Sequence, residues 1–159
     1  MFRRLTINII LLISMLGAQN ARVHMEKNSR GFEGTVRTEL KVDSGGLLEI
    51  ENLTGDLILE GSKQNQFICL ENFRVKIHDS QQAENIVAEH RAIINQNNQG
   101  VTIQRNKHSR DYSSYYEIKI PRNYSVDAVC KYGDVTAINL NGNFKMKTFG
   151  GDAEVSQLE

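Results

Sequence analysis

Residues 131–155 read KYGDVTAINLNGNFKMKTFGGDAEV, and this stretch decides the fold. A Gly-Asp step at Gly133-Asp134 precedes an alternating apolar run, and the same step returns at Gly151-Asp152. Asn141-Gly142 divides the interval, so two short strands and two tight turns fit between the steps. Glycine permits the positive φ of a sharp corner, and aspartate accepts a nearby backbone N–H two residues on. The stretch therefore predicts short strands joined by Gly-Asp turns.

The same step occurs earlier in the chain, and its surroundings repeat as well. Leu48, Ile50 and Leu53 precede Gly55-Asp56 at the distances at which Phe144, Met146 and Phe149 precede Gly151-Asp152. Recurrence of this kind is typical of repeat β proteins, in which apolar side chains stack inward. We expect the inward residues to include Val135, Ala137, Leu140, Phe144, Met146 and Val155. The expected fold is all-β, a β-solenoid or β-helix-like stack whose structural turns use Gly55, Asp56, Gly133, Asp134, Gly142, Gly151 and Asp152.

One segment departs from the β pattern. Ala83, Val87 and His90 fall at helical spacing, which predicts one short helix near residues 80–90 with Ser80 as its N-cap. Residues 106–114 are polar and rich in turn formers, which favours an exposed loop.

The N-terminus has the layout of an export signal. Residues 1–4 carry two arginines, residues 5–16 are nearly all apolar, and small residues follow. We predict a signal peptide over residues 1–21, with cleavage near 18–21, a linker over 22–33, and a β-repeat domain over 34–159. No candidate cleavage site fits the small-x-small rule well, so an uncleaved membrane anchor stays an alternative. The expected location is extracytoplasmic: periplasmic, cell-surface or secreted.

Composition narrows the classes of function. The 159 residues suffice for one domain with its own core, and 19 basic residues balance 19 acidic ones. No basic surface for nucleic acid is therefore expected. In an exported protein Cys69 and Cys130 are permitted to form a disulfide, but two separate buried thiols fit the sequence equally well.

We find no sequence motif that predicts catalysis, a cofactor or a metal site. A nucleophile elbow, a phosphate-binding glycine loop and a zinc-protease helix are all absent from the sequence, and the four histidines are not spaced as ligands. Calcium on the Gly-Asp corners is an alternative to simple turn closure, although known calcium repeats carry denser aspartates. Lys107, Arg110 and Asp111 are the candidates for carbohydrate cleavage, and a solvated loop explains them more simply.

Tyrosines form one aromatic cluster in the sequence. Tyr116 fits an inward strand position, whereas Tyr112 and Tyr115 are possible surface contacts for a sugar or a protein, since tyrosine combines apolar area with a polar tip. The alternative is that both are ordinary loop residues.

The ordered set of motifs resembles a known family. The segments that carry the resemblance are 52–56 (NLTGD), 80–84 (SQQAE), 116–121 (YEIKIP), 131–135 (KYGDV) and 148–152 (TFGGD). In this order they resemble the bacterial putative-adhesin family, whose members are extracytoplasmic Gly-Asp repeat domains of unknown function. The resemblance covers residues 34–159 and implies a β-solenoid-like stack with no catalytic residues and no cofactor.

The function expected from these observations is non-enzymatic, an adhesin acting by surface contact with an unknown protein or glycan. One alternative is an envelope sensor or accessory module coupled to a membrane partner, which an uncleaved signal would favour. A weaker alternative is a polysaccharide-active solenoid enzyme. The last strand ends in mid-repeat, so either more repeats normally follow residue 159 or the C-terminal edge supports self-association.

Overall fold

The computed structural model of the protein describes residues 20–105 and 107–156, and this part of the chain is mostly β-strand. It contains twelve strands and one helix. In chain order they are β1 Asn20–Asn28, β2 Gly31–Lys41, β3 Leu47–Thr54, β4 Leu57–Ser62, β5 Gln66–Val75, α1 Ser80–His90, β6 Ile93–Gln96, β7 Gly100–Gln104, β8 Tyr112–Pro121, β9 Ser125–Tyr132, β10 Val135–Ile138, β11 Phe144–Thr148 and β12 Ala153–Ser156.

The strands form two open sheets. A seven-stranded sheet has the order β1-β2-β5-β8-β4-β10-β12, and a five-stranded sheet has the order β11-β9-β3-β7-β6. Both sheets mix parallel and antiparallel pairs. The predicted all-β class is confirmed. The finer expectation of a β-solenoid stays a prediction, because antiparallel β1, β2, β5 and β6 accompany the parallel ladders.

At each Gly-Asp step the chain crosses from the five-stranded sheet to the seven-stranded sheet. The steps join β3 to β4, β9 to β10, and β11 to β12, and each strand pairs in parallel with the equivalent strand of the next pair. Strands β7 and β8 lie in the same arrangement but are joined by a longer loop. The corner-linked pairs therefore stack in the order β7–β8, β3–β4, β9–β10, β11–β12.

Two apolar clusters hold the fold together. The larger lies between the two sheets and includes Leu48, Ile103 and Ile118, all essentially inaccessible to solvent. The smaller lies where α1 covers the end of the seven-stranded sheet, with Ala83 and Val87 against apolar residues of β1, β2, β5 and β8. Each large aliphatic side chain buried in this way stabilises the fold by about 1.5–3 kcal/mol.

Five of the six predicted inward residues face the core. Val135, Ala137 and Leu140 are buried, and Phe144 and Met146 are partly buried against the same cluster. The prediction for Val155 is wrong, because β12 is an edge strand in the described chain and all four of its residues are exposed.

The helix occurs where predicted, but a different residue caps its N-terminus. Asp79, not Ser80, caps α1, and its Oδ1 accepts the Gln82 N–H at 2.8 Å. Both residues are good caps, and the chain enters the helix one residue earlier than the apolar spacing indicates.

Residues 22–33, expected to be a linker, instead form β1 and the start of β2. The two strands pair antiparallel through a turn at Ser29-Arg30, β2 also pairs with β5, and Met25 and Phe32 are buried in the smaller apolar cluster. These long-range contacts supply an order that the polar local sequence does not predict. Residues 1–19, which hold most of the predicted signal peptide, lie outside the described residues, whereas Asn20 and Ala21 belong to β1.

Both cysteines are free, buried thiols in different sheets, Cys69 in β5 and Cys130 in β9. Burial raises the pKa of Cys130 to about 11. Burial, reinforced by the nearby Glu71 carboxyl, raises the pKa of Cys69 as well. Within the described residues, no helix has the length and hydropathy needed to cross a bilayer.

The corner glycines lie in close backbone contact with one another. Gly55, Gly133 and Gly151 have φ of +117°, +119° and +104°. A Cβ on Gly55 would lie 1.8 Å from the Ser114 carbonyl oxygen, one on Gly133 2.4 Å from the Gly55 oxygen, and one on Gly151 2.2 Å from the Gly133 oxygen. Both φ and space thus require glycine at these corners.

Gly142 differs from the corner glycines. Its φ is not positive, contrary to the expectation for this turn, but a Cβ there would lie 2.1 Å from the Tyr124 carbonyl oxygen. Space alone requires glycine at this position.

The corner aspartates form a ladder between neighbouring pairs. Asp56 Oδ1 accepts the backbone N–H of Asp134 at 3.0 Å, and Asp134 Oδ1 accepts that of Asp152 at 2.9 Å. The sequence indicated closure within a turn, two residues on. The carboxylates instead join successive turns, because the stacked glycines bring these turns together.

We expect Gly133→Ala to lower the free energy of unfolding by roughly 2–4 kcal/mol, since the Cβ meets backbone and the φ disfavours an L-residue. Two matched variants separate these causes. Gly45→Ala has a φ of +81° but its Cβ lies 3.7 Å from the nearest atom, so about 1 kcal/mol is expected. Gly142→Ala introduces the close contact without an unfavourable φ, so we expect it to lower the free energy of unfolding by roughly 1–3 kcal/mol. Urea unfolding measures all three. Equal losses at Gly133 and Gly45 would show that close packing contributes nothing.

Asp134→Ala removes the acceptor for the Asp152 N–H, and we expect it to cost about 1 kcal/mol of unfolding free energy. Asp134→Asn retains an acceptor oxygen, so a smaller loss is expected. Asp152→Ala is the control, because its carboxylate accepts no hydrogen bond from residues 20–105 or 107–156. A change within about 0.5 kcal/mol is expected there. If thermal melts show the two alanine variants to be equally destabilised, the ladder has no stabilising role.

Candidate functional site

Two cavities of about 530 Å³ each open beside the stacked corners, and both are lined by Gly55, Ser113 and Ser114. We call the first the mixed-charge cavity, because Glu33, Asp56 and Arg74 contribute both signs of charge. Its remaining lining residues are Gly34, Thr35, Asn72, Phe73 and Tyr115. We call the second the cationic cavity. Its remaining lining residues are Thr54, Arg105, His108, Ser109, Tyr112, Lys131 and Tyr132.

Arg105 forms the floor of the cationic cavity from the loop that follows β7. It is only 3% exposed. Its Nη1 donates to the Thr54 carbonyl at 3.3 Å and to Ser114 Oγ at 3.1 Å, and its Nε donates to the Lys107 carbonyl at 3.2 Å. The guanidinium carbon lies 4.9 Å from the centre of the Tyr112 ring, within cation–π range. One side chain thus fixes the loop to the end of β3 and to the start of β8.

Behind Arg105 lies a buried carboxyl. Glu71 in β5 is 2% exposed, and its Oε1 accepts the Tyr112 hydroxyl at 2.8 Å and the Tyr116 hydroxyl at 3.3 Å. Its Oε2 accepts the Ala92 N–H at 2.8 Å. Ser114 donates to the Tyr116 hydroxyl at 3.0 Å and so connects this network to Arg105.

Burial raises the pKa of Glu71 despite the opposing effects of its Ala92 and tyrosine hydrogen bonds and of the Arg105 charge. Burial also raises the pKa of Tyr112 and Tyr116, and the Glu71 charge adds to both shifts. The network therefore favours neutral, protonated phenols that donate to the carboxyl.

At the mouth of the cavity two nitrogen groups face each other. The Lys131 Nζ lies 3.4 Å from His108 Nε2, and the Thr54 Oγ1 lies 3.5 Å from His108 Nδ1. Burial lowers the pKa of His108, and the charges of Lys131, Arg105 and His90 lower it further. His90 stands deeper, its ring 6.1 Å from that of Tyr112, and its buried Nδ1 has no hydrogen-bond partner in the described part of the chain.

The structure separates the predicted tyrosine contacts. Tyr115 is 48% exposed and lines the mixed-charge cavity, whereas Tyr116 is core as expected. The interpretation of Tyr112 as a surface contact is wrong, because the hydroxyl is buried on Glu71 and the ring is stacked on Phe73 with 5.8 Å between centroids. Residues 112–114 belong to β8, so the predicted loop ends earlier.

Two aromatic residues that the sequence did not mark as contacts are the most exposed. Tyr132 is 64% exposed and Phe149 is 63% exposed. Phe149 stands where the buried Leu53 stands in the earlier repeat, but it is exposed because β11 ends at Thr148 and Phe149 lies in the bend before Gly151. Lys147 lies 4.8 Å from the Phe149 ring centre, and Tyr132 packs over Gly150. The signal for Tyr132 was its position directly before a Gly-Asp step.

The remaining candidates do not join the site. Lys107 forms an ion pair with Glu89 on α1, and the Asp111 carbonyl accepts the Lys76 N–H at 2.9 Å. Across residues 20–105 and 107–156, no three side chains of His, Cys, Asp or Glu cluster as metal ligands. What the site offers is cations, hydroxyls and aromatic faces on a rigid edge, a set suited to non-covalent binding.

The buried Glu71 carboxyl makes the stability of the fold depend on pH, and the direction of this dependence follows from its raised pKa. A carboxyl whose folded-state pKa is raised holds its proton in the folded state where the unfolded chain has lost it, so stability falls as pH rises from about 4.5 toward the raised value. We expect the unfolding free energy of the wild type, minus that of Glu71→Gln, to decrease over this window.

Glu51→Gln, at an exposed position of β3, controls for the loss of one carboxylate. Urea unfolding between about pH 4 and pH 8 measures the differences. If the difference in unfolding free energy between the wild type and Glu71→Gln stays constant with pH, the pKa of Glu71 is not raised by folding.

Comparisons with known proteins bear on the fold. No protein-family model matches the chain, and no curated protein matches it. Among solved structures, the chain is similar to a putative cell adhesion protein from Clostridium sporogenes, with a TM-score of 0.50, 8% identity, and coverage of 84% of this chain and 59% of that chain. A putative adhesin from Parabacteroides merdae gives a TM-score of 0.37 and 9% identity, with coverage of 78% and 57%. This chain therefore spans less than two thirds of either structure. At such low identity, the first similarity shows a shared fold alone.

Proposed function

We propose that the chain is a non-enzymatic, adhesin-like protein that acts outside the cytoplasm by binding a protein or glycan surface. The observation that carries the proposal is a set of exposed aromatic residues beside the Gly-Asp corners, Tyr115, Tyr132 and Phe149. We call this surface the corner face.

The corner face has the properties of a binding surface. Tyrosine and phenylalanine bring large contact areas with few rotatable bonds, and such residues carry much of the energy at interfaces. Tyr132 directly precedes Gly133 and Phe149 lies two residues before Gly151, so the stacked corners hold both in place. Exposed aromatic side chains on a rigid edge are available to a partner at little cost in ordering entropy.

Two further features support the proposal. The shared fold with a putative cell adhesion protein is compatible with it. The positive residues 1–4 and the apolar residues 5–16 favour export. Within this proposal, the corner-linked pairs from β3 to β12 are a short solenoid-like stack, in which Val135 pairs with Ala153 eighteen residues later.

The test of the corner face is a binding assay of the full chain on immobilised polysaccharides and extracellular-matrix proteins. We expect Tyr132→Ser combined with Phe149→Ser to weaken binding to the surfaces that capture the wild type by about 10-fold or more, since aromatic hot spots contribute about 2 kcal/mol. Ile58→Ser removes an exposed apolar side chain from β4 instead and is the matched control. Equal binding by all variants would remove the corner face as the binding surface.

Compartment is tested separately by fractionating cells and sequencing the mature N-terminus. We expect an extracytoplasmic product that begins near residues 18–22, just before or within β1. A full-length product that still carries Met1 in the cytosol would contradict the proposal. Release of shorter saccharides from any bound polysaccharide would contradict its non-enzymatic part.

A further inference from the structure

The cationic cavity carries an excess of positive groups in a chain whose formal charges balance. Arg105, His108 and Lys131 line it, and no aspartate or glutamate among residues 20–105 and 107–156 does. The ion pairs of this part of the chain engage other basic residues, such as Lys107, Lys119 and Lys145. The positive charge of the cavity is therefore not neutralised within its own walls.

Among the basic residues of the cavity, Arg105 most clearly lacks a carboxylate partner. A guanidinium that is almost fully buried is normally paired with a carboxylate, because desolvation of the charge is costly. Here its protein acceptors are neutral carbonyl and hydroxyl oxygens. The carboxyl of Glu71 accepts its hydrogen bonds from the tyrosine hydroxyls and the Ala92 N–H, not from the guanidinium. Glu71 therefore compensates the charge of Arg105 only at a distance.

Lys131 and His108 form a second polar contact at the mouth, in which the ammonium can donate to the neutral imidazole and no carboxylate takes part. Their nitrogens are 3.4 Å apart, so both cannot carry charge there without repulsion. Thr54, the other neighbour of His108, supplies only a neutral hydroxyl. An anion that displaced this contact and bridged the two groups would pair with Lys131 and allow His108 to take up a proton.

The other walls suit a sugar better than a bare ion. Tyr132 presents an exposed ring, and Thr54, Ser109 and Ser113 present hydroxyls. The volume of about 530 Å³ lies in the range of small-molecule sites. Tyrosine rings stack on the apolar faces of sugar rings while hydroxyls exchange hydrogen bonds.

We propose that the cationic cavity binds an acidic saccharide, with the carboxylate or sulfate of a sugar unit among Arg105, His108 and Lys131 and the sugar ring against Tyr132. This inference rests on the proposed function, since it names a glycan class for the same face of the molecule.

The test is calorimetric titration of the full chain with a disaccharide that contains glucuronic acid. The same disaccharide with glucose in place of glucuronic acid, inorganic sulfate, and a short polyglutamate peptide serve as comparison ligands. Lys131→Gln is the main variant and Lys131→Arg its conservative partner. Lys63→Gln makes the same charge change in an exposed turn at the far end of β4. Thermal melts confirm that each variant is folded.

We expect the acidic disaccharide to bind to the wild type. Lys131→Gln should weaken this binding about tenfold or more, because it removes a charge-assisted hydrogen bond of about 1.5–3 kcal/mol. Lys131→Arg and Lys63→Gln keep that bond, so their affinities should stay within about threefold of the wild type. A second measurement follows the protonation of His108 by nuclear magnetic resonance as the pH is changed. We expect His108 to take up its proton at a higher pH when the saccharide is bound than when it is absent. Equal binding of the glucose disaccharide, of sulfate or of polyglutamate would overturn the inference.

Absence of binding by the acidic disaccharide, while polysaccharide or protein surfaces are still captured through Tyr132 and Phe149, would overturn this inference and leave the proposed function standing. Loss of both kinds of binding would overturn both.

Discussion

The backbones of the stacked corner glycines lie in direct contact, and this contact aligns the two sheets with each other. Gly55 lies on the Ser114 carbonyl, Gly133 on Gly55, and Gly151 on Gly133, each at a distance that leaves no room for a Cβ. This contact sets the register at the point where the chain leaves one sheet for the other. Because side chains alternate along a strand, a fixed register also fixes which residues enter the core. Apolar burial then supplies most of the stabilisation, and the aspartate ladder closes the turns.

One corner of the stack has no Gly-Asp step, and a polar network takes its place. Ser114, near the start of β8, lies against Gly55, and its hydroxyl accepts from Arg105 and donates to Tyr116. Arg105 in turn binds the Thr54 carbonyl, directly before Gly55. The longer loop is thus held against the Gly55 corner by the Arg105 hydrogen bonds, in addition to the close contact of Gly55 with the Ser114 carbonyl. The cationic cavity lies where these two kinds of corner meet.

The sequence predicts the parts of this fold that depend on neighbours along the chain. The Gly-Asp turns, the helix over 80–90 and the alternating cores of β8 to β10 follow from local spacing. The pairing of β1 with β2 does not, since β2 is held by β5, and Met25 and Phe32 join an apolar cluster with residues distant in sequence. The buried Glu71 and Arg105 also escape prediction, because a charged residue is expected at the surface until its distant partners are known. The burial of Tyr112 is missed for a similar reason, because β8 begins at Tyr112, earlier than the polar sequence of residues 106–114 indicates.

The buried network has a cost that its contribution to the fold does not explain. Replacing hydrogen-bonded buried charges by apolar side chains of similar size is often neutral or stabilising, so a carboxyl and a guanidinium inside this core are weak devices for stability alone. Their geometry has another effect. Glu71 anchors Tyr112 and Tyr116, these rings and Ser114 position Arg105, and Arg105 lines the cavity without a carboxylate in direct contact. A guanidinium that is already ordered binds an anion at a smaller cost in side-chain entropy than a flexible lysine does, and its planar fork matches the geometry of a carboxylate or sulfate. The network is therefore best understood as the support of the cationic cavity, and the stacked corners as the frame that holds both in place.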